Sequence, residues 1–177
     1  MKNDSGKYFG SLMMFCFGAI AFYRWHQTQL VFFLLLVLRD FVAAYFFLKR
    51  KQTQVKATQF QSVLAYLSSA MPLVYFSPSE DVKLFFLISN VLSIAGFLLV
   101  ALATIELGQS IGISPANRDY VRTGIYRYIK HPMYLGYVVS DVGMVFLNPL
   151  NAVLLLISSS LYFMRARYEQ KALNTDA

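Results

Sequence analysis

The stretch 124–136 reads Gly-Ile-Tyr-Arg-Tyr-Ile-Lys-His-Pro-Met-Tyr-Leu-Gly and carries side chains that could bind a small charged molecule. Proline is favoured at the first position of a helix, so we expect Pro132 to begin a helix and His131 to lie at or next to its N-cap. The opening turn of a helix has unpaired N–H groups and the positive end of the dipole, which favours a carboxylate or phosphate ligand. The glycines at both ends allow close approach of backbone or ligand. The side chains expected around this turn are Tyr126, Arg127, Lys130, His131 and Tyr134.

A second polar cluster follows the last apolar segment of the chain. Arg165 and Glu169 are four residues apart and would share one face of a helix. If the last two apolar segments form a helical hairpin, this cluster returns to the same membrane surface as His131. The polar connector 108–119 is long enough to fold over a site there. Basic residues and tyrosines at an interface are also ordinary membrane anchors, so the clusters by themselves leave both interpretations open.

The elements that position these clusters are expected to be membrane helices. The chain of 177 residues is 57% hydrophobic and only 14% charged, with a mean hydropathy of +0.50, whereas soluble domains are about 45–50% apolar and about 25% charged. We predict an all-α, polytopic membrane bundle of about six membrane segments, with a tight helix–turn–helix hairpin at Asn148-Pro149 in which Pro149 starts the returning helix. The predicted segments are 8–23, 29–48, 60–76, 82–105, 132–147 and 149–164. They form one membrane domain, 1–177, in which helices within 1–80 have no evident role.

The distribution of basic residues predicts the orientation of the bundle. Lysines and arginines concentrate at 49–51 and 56, in the loop before His131, and in the tail after residue 164, whereas the loop around Glu80 and Asp81 is acidic. With six spans, all the basic regions fall on one side, which the positive-inside rule assigns to the cytoplasm. We therefore expect both termini and the His131 cluster to face the cytoplasm.

Three charged residues lie where a membrane makes charge expensive. Arg39 and Asp40 are in the middle of the second segment, and Asp141 is in the fifth. Such groups pair with each other or face a polar cavity, so Arg39 and Asp40 are either a cavity wall or a structural pair that bridges helices. Asp141 follows Tyr137 by four residues and Tyr134 by seven, so the three share a helix face that can line a pocket. Glu106, at the end of the fourth segment, is interpreted as an ordinary interfacial residue.

Two other classes of function are disfavoured by composition. The net charge of +7 comes from residues at segment ends, and no basic stripe has interleaved aromatics, so no nucleic-acid partner is expected. The chain has two histidines and one cysteine, Cys16, which excludes an internal disulfide and makes a metal site improbable.

The pattern Gly-x-Tyr-Arg-Tyr-x-(Arg/Lys)-His-Pro-Met-Tyr, followed by an apolar hairpin and Arg-x-x-x-Glu, resembles the isoprenylcysteine carboxyl methyltransferase family, which extends to phospholipid N-methyltransferases. The resemblance covers about residues 90–173 and implies a methyltransferase-like core that uses S-adenosylmethionine. The two clusters motivate the hypothesis that Arg165 and Glu169 carry the catalysis, with Arg165 orienting an anionic acceptor and Glu169 binding the cofactor or accepting a proton. The residues for which the resemblance implies cofactor contact are Tyr126, Lys130, His131, Pro132, Tyr134, Gly136 and Glu169.

Several departures from the family pattern bear on the acceptor. Lys130 replaces the usual Arg, Gln170 stands where many members have a second Glu, and the stretch 117–124 lacks a histidine that the family often has there. These differences argue against a prenylcysteine substrate and favour a lipid-like or amphipathic small molecule as partner, methylated on a carboxyl, amine or thiol.

Two alternatives compete with the methyltransferase interpretation. Membrane sterol reductases share a related C-terminal pattern and use NADPH, but they more often have Asn where this chain has Met133. A non-catalytic membrane subunit or small transporter would use Arg39, Asp40 and Asp141 as a polar path, although no internal repeat supports it.

Overall fold

The computed structural model describes residues 5–49, 58–79, 82–108 and 123–174. Within those ranges it has six α-helices and no strand, which confirms the all-α prediction for the part of the chain described. The helices are α1 (Ser5–Thr28), α2 (Val31–Lys49), α3 (Gln59–Ala70), α4 (Lys83–Leu107), α5 (Pro132–Leu147) and α6 (Asn151–Asn174). Two 3-10 turns span Met71–Val74 and Gly124–Arg127. The basic loop residues 50–56, the acidic pair 80–81 and the connector residues 109–119 lie outside the described residues.

Two of the described helices, α2 and α4, are long and apolar enough to cross a membrane, fewer than the six segments expected. The apolar helix α5 has only 16 residues. At 12 residues, α3 is about 18 Å long and falls short of the hydrocarbon thickness. Helix α6 is long, but it continues past its apolar part into the charged segment that contains Arg165 and Glu169.

The third predicted segment, 60–76, is not one helix. A capping box starts α3, since Gln61 N–H donates to Thr58 Oγ1 at 3.3 Å and Thr58 N–H donates to Gln61 Oε1 at 2.9 Å. Twelve residues later the α-helix ends at Ala70, because Pro72 has no N–H to continue the ladder, and the 3-10 turn follows. Pro72 is buried, so this break in the α-helix lies inside the bundle.

Small residues allow α4 and α5 to pack with their backbones in close contact. A Cβ built on Gly96 would lie 2.4 Å from the carbonyl oxygen of Gly136, and one built on Gly136 would lie 2.6 Å from the carbonyl oxygen of Gly96. Ser140 and Gly143 continue this buried stripe along α5. Small side chains at a crossing are typical of membrane helices, whose association depends on close packing.

The buried side chain of Asn151 links the end of α5 and the first residue of α6 to the segment that follows α3. Asn151 Oδ1 accepts from Phe76 N–H at 2.8 Å, and Asn151 Nδ2 donates to Phe76 O at 3.2 Å and Met144 O at 2.8 Å. Because Asn151 and not Pro149 begins α6, the expected position of Pro149 at the start of that helix is wrong. Pro149 lies in a turn in which Asn148 Oδ1 accepts from Leu150 N–H at 3.1 Å.

An aromatic core joins α2 to α4. The ring of Phe32 meets the rings of Tyr75 and Phe97 edge-on, with centroids 5.8 and 5.9 Å apart. All three side chains are buried, so they set the separation of α2 from α4 at this level of the bundle.

Candidate active site

The 3-10 turn Gly124–Arg127 is held by a carboxylate at the end of α4. The N–H of Ile125 donates to both oxygens of Glu106, at 3.0 and 2.9 Å. Gly124 has a φ of +51°, and a Cβ built there would lie 1.8 Å from Glu106 Oε1, so this position requires glycine. Glu106 therefore anchors the turn, a role that the sequence interpretation of an ordinary interfacial residue missed.

The turn places Tyr126 near the start of α5. Pro132 is the first residue of α5 and His131 is its N-cap, which confirms the predicted helix start. Burial raises the pKa of the Tyr126 phenol, and the negative charge of Glu169 raises it further. Burial also lowers the pKa of His131 below its ordinary value, although Glu169 acts in the opposite direction. At pH 7 the site therefore holds a neutral imidazole and a protonated phenol, both in the field of the Glu169 carboxylate.

The cluster at the end of α6 meets the start of α5, as the sequence predicts. Tyr134 donates its hydroxyl proton to Glu169 Oε1. The guanidinium of Arg165 lies 5.2 Å from the centroid of the Tyr134 ring, and its Nη2 is 3.9 Å from Glu169 Oε1. The ring of His131 lies 5.9 Å from that of Tyr134. Tyr134 is thus the residue through which the two predicted clusters contact each other.

Helix α3 supports Arg165 from the other side. Arg165 Nη1 donates to Ser68 Oγ at 3.0 Å and to Ser69 Oγ at 3.4 Å. The arginine is 6% exposed. Its charge is therefore held inside the bundle, against a ring face and two hydroxyls, and not at the surface of the site.

A row of tyrosines extends from the site into the bundle. The rings of Tyr134 and Tyr162 are stacked, with centroids 5.9 Å apart, and Tyr137 lies 5.5 Å from Tyr162. Tyr162 donates its hydroxyl proton to Asp141 Oδ2 at 3.3 Å, and Asp141 is buried. The predicted shared face of Tyr134, Tyr137 and Asp141 is confirmed, and Tyr162 is the partner that the sequence pattern did not single out.

Arg39 and Asp40 form an ion pair beside this row. Arg39 Nη2 is 2.7 Å from Asp40 Oδ1, and their side chains are 8% and 0% exposed. Arg39 Nη2 also donates to Ser69 O at 3.2 Å, and its guanidinium lies 5.4 Å from the Tyr137 ring centroid. The pair therefore bridges α2 to α3 and α5, which supports the structural alternative, while Arg39 also adjoins the row of tyrosines.

Three residues expected to contact a cofactor differ in their placement. Lys130 is exposed beside His131, Pro132 is buried as the first residue of α5, and Gly136 is buried at the crossing with Gly96. The need for glycine at position 136 is accounted for by helix packing, so cofactor contact by Gly136 stays a prediction.

Valine at either crossing glycine is expected to destabilise the protein by about 1–3 kcal/mol, the usual cost of forcing extra volume into a packed contact. Gly96→Val and Gly136→Val should behave alike, because each new Cβ meets the backbone of the other helix. Ala95→Val, on the exposed face of α4, is the matched control and should unfold like the wild type in a thermal melt in detergent. A stable Gly136→Val that loses cofactor binding would contradict the packing explanation.

The described ranges contain no group of three or more His, Cys, Asp or Glu residues that could hold a metal ion.

No curated protein and no solved structure matches the chain. A family model does match, over residues 87–175, and it is described as the isoprenylcysteine carboxyl methyltransferase family. This segment contains both clusters that meet at Tyr134 and agrees with the resemblance found over about residues 90–173. Because the match covers half of the chain, the protein belongs to the isoprenylcysteine carboxyl methyltransferase family.

Proposed function

We propose that this protein is an integral membrane methyltransferase that uses S-adenosylmethionine and acts on a lipid-like or amphipathic acceptor. Its family is one of membrane methyltransferases. The observation that carries the proposal is the contact of the α5 start with the α6 end, through the hydrogen bond from Tyr134 to Glu169. These two segments hold the residues that the family resemblance associates with the cofactor.

The chemistry of this donor set fits S-adenosylmethionine. Bound there, the cofactor supplies a methyl carbon that is electrophilic because it is attached to a positively charged sulfur. Aromatic faces attract cations, and Tyr126 provides such a face, whereas the Tyr134 ring already lies against the Arg165 guanidinium and stacks on Tyr162. His131 is neutral at pH 7, so it adds no repulsion, and the partly exposed Glu169 offers a negative charge and an acceptor for hydroxyl or ammonium groups. The residues proposed to hold the cofactor are Tyr126, Lys130, His131, Tyr134 and Glu169, while Pro132 sets the start of α5 and Gly136 sets its crossing with α4.

The protein's contribution to the rate is then positioning. Alignment of two reactants can supply about 7–11 kcal/mol of a barrier. Glu169 either binds the cofactor or, if the acceptor is an amine, accepts its proton, whereas an acceptor carboxylate needs no base. Arg165 was expected to orient an anionic acceptor. Because Arg165 is buried behind Tyr134, we assign it a positioning role instead: it holds the Tyr134 ring and the Glu169 carboxylate in place.

The proposed topology has about six membrane segments, with both termini and the site on the cytoplasmic side. In support, the basic residues nearest the site lie at one end of the bundle: Arg127 and Lys130 precede α5, and Arg167 and Lys171 lie toward the end of α6. Basic residues at one membrane surface are typical of the cytoplasmic side.

The first experiment is the thermal shift of the detergent-purified protein with S-adenosylhomocysteine. A ligand of the native state at 100 times its Kd adds about 2.7 kcal/mol of stability, which a melt resolves easily. We expect a clear shift in the wild type and little or none in His131→Ala. NADPH is the comparison ligand, because stabilisation by NADPH alone would support the reductase alternative. No shift with either ligand, from a well-folded sample, would favour a non-catalytic membrane subunit.

A further inference from the structure

The last turn of α3 carries two serine hydroxyls whose own protons are already used. Ser68 Oγ donates to Ala65 O at 2.9 Å, and Ser69 Oγ donates to the same carbonyl at 3.0 Å. A hydroxyl has one proton, so each serine offers only lone pairs to a further partner. Both accept from Arg165 Nη1, at 3.0 and 3.4 Å. The two hydroxyls are therefore arranged to bind a cation.

The end of α3 attracts positive charge for a second reason. The last carbonyls of a helix lack partners within the helix, and the negative end of its dipole lies there. The last turn of α3 has no basic residue of its own. Arg39 of α2 donates to Ser69 O at 3.2 Å, and Arg165 of α6 donates to the serine hydroxyls of the same turn. Arginines from two other helices thus supply the positive charge that α3 lacks.

Contacts on either side of the serines fix α3 along α6. The rings of Phe60 and Tyr168 meet edge-on, with centroids 6.3 Å apart. Beyond the end of α3, the hydroxyl of Tyr75 donates to Ser158 Oγ at 3.5 Å. The contact with Arg165 lies between these two along both segments. Because α3 is held to α6 on both sides of the serines, it can determine where the guanidinium lies.

The serines leave the guanidinium at a distance from Glu169. Arg165 Nη2 is 3.9 Å from Glu169 Oε1, which is beyond hydrogen-bond distance although the two residues are four apart on α6. At this separation the arginine attracts the carboxylate without occupying its lone pairs, and Oε1 accepts from Tyr134 instead. Without the serines, the guanidinium could close to the roughly 2.7–2.9 Å of a charge-assisted hydrogen bond. The carboxylate would then have less capacity for another cation or donor.

We propose that Ser68 and Ser69 are positioning residues of the cofactor site, which hold Arg165 back from Glu169 and so leave this carboxylate available to S-adenosylmethionine. The assignment rests on the proposed function. It gives a role to α3, which lies outside the residues 87–175 that match the family. The N-terminal part of the chain then determines the affinity of a site whose binding residues all lie in the C-terminal part.

The test is a double-mutant cycle on the binding of S-adenosylhomocysteine, measured by isothermal titration of the detergent-purified protein. The double serine variant, Ser68→Ala with Ser69→Ala, is expected to bind about tenfold more weakly than the wild type, which corresponds to about 1.4 kcal/mol. In an Arg165→Gln background the same change should alter the Kd by less than about twofold, because the serines act through the arginine. Ser93→Ala is the matched control, since Ser93 is buried on α4 and its hydroxyl has no hydrogen-bond partner among the described residues. Its affinity should equal that of the wild type.

A second readout needs neither the cofactor nor the Arg165→Gln background. In thermal melts without ligand, Glu169→Gln should lower the Tm more in the double serine variant than in the wild type, because it then removes a closed ion pair. A purely structural role of the serines predicts equal decreases, since independent effects add. If the double serine variant does not fold, Ser68→Ala alone removes the 3.0 Å bond and takes its place in both measurements.

The outcomes separate this assignment from the proposed function. An unchanged Kd in the double serine variant would overturn the role of the serines, and so would an equal loss of affinity in the Arg165→Gln background. Equal decreases in Tm would also overturn it. A well-folded wild type that does not bind S-adenosylhomocysteine would instead overturn the proposed function, and the melts would still decide whether the serines hold Arg165 away from Glu169.

Discussion

Glu169→Ala is expected to weaken the binding of S-adenosylhomocysteine by about 10- to 150-fold, since a hydrogen bond to a charged group is worth about 1.5–3 kcal/mol. The carboxylate is 27% exposed, accepts the hydroxyl proton of Tyr134 and lies 3.9 Å from Arg165. Alanine removes the negative charge from the site and also releases the Tyr134 phenol. Isothermal titration of the detergent-solubilised protein measures the change in Kd directly.

Two variants of α6 separate these effects. Glu169→Gln keeps an acceptor for Tyr134 but removes the charge, so it should bind more tightly than Glu169→Ala and less tightly than the wild type. Arg167→Ala is the matched control, because Arg167 is exposed on the same helix and lies against Phe163, away from Tyr134. Normal binding by both Glu169→Ala and His131→Ala would remove the assignment of this cluster to the cofactor.

Asp40→Ala is expected to cost about 3–5 kcal/mol of stability, the usual effect of removing one partner from a buried ion pair. Asp40 is fully buried and Arg39 is nearly so, and within the described residues no other carboxylate forms an ion pair with that arginine. Without the Asp40 carboxylate, the Arg39 guanidinium loses its counter-charge at a depth in the membrane where an unpaired charge is energetically unfavourable. Thermal or denaturant unfolding in detergent would show a large decrease in stability.

The double variant Arg39→Met, Asp40→Ala tests the reason for that loss. Removal of both charges should recover much of the stability, because the cost comes from an unpaired charge and not from the missing carboxylate itself. Recovery should be incomplete, since methionine cannot donate to Ser69 O or provide a cation for the Tyr137 ring. A double variant as unstable as Asp40→Ala would show that Asp40 stabilises the bundle in another way. The transporter alternative predicts, by contrast, that activity depends on this pair and not on His131.

Part of the site follows from neighbours along the chain. Proline after histidine determines the start of α5 at Pro132, because proline tolerates the first helical position and disrupts later ones. The spacing of Arg165 and Glu169 by four residues brings both to one face of α6, and the same rule aligns Tyr134, Tyr137 and Asp141 on α5. These relations depend only on helix geometry, so the amino-acid sequence alone was sufficient to predict them.

What the sequence by itself determined was therefore the helical class, the start of α5 and the residues that share a helix face. Only the tertiary structure decided which faces meet: Ser68 with Arg165, Tyr162 with Asp141, and Glu106 with Ile125 are separated by 97, 21 and 19 residues. It also decided that Gly136 serves a helix crossing and that Arg39 and Asp40 tie α2 to α3 and α5. The physical reason is that helical periodicity defines only the direction in which a side chain points around the axis of its own helix. Contact between two helices depends on their rotation, depth and crossing angle, which are set by packing across the whole bundle.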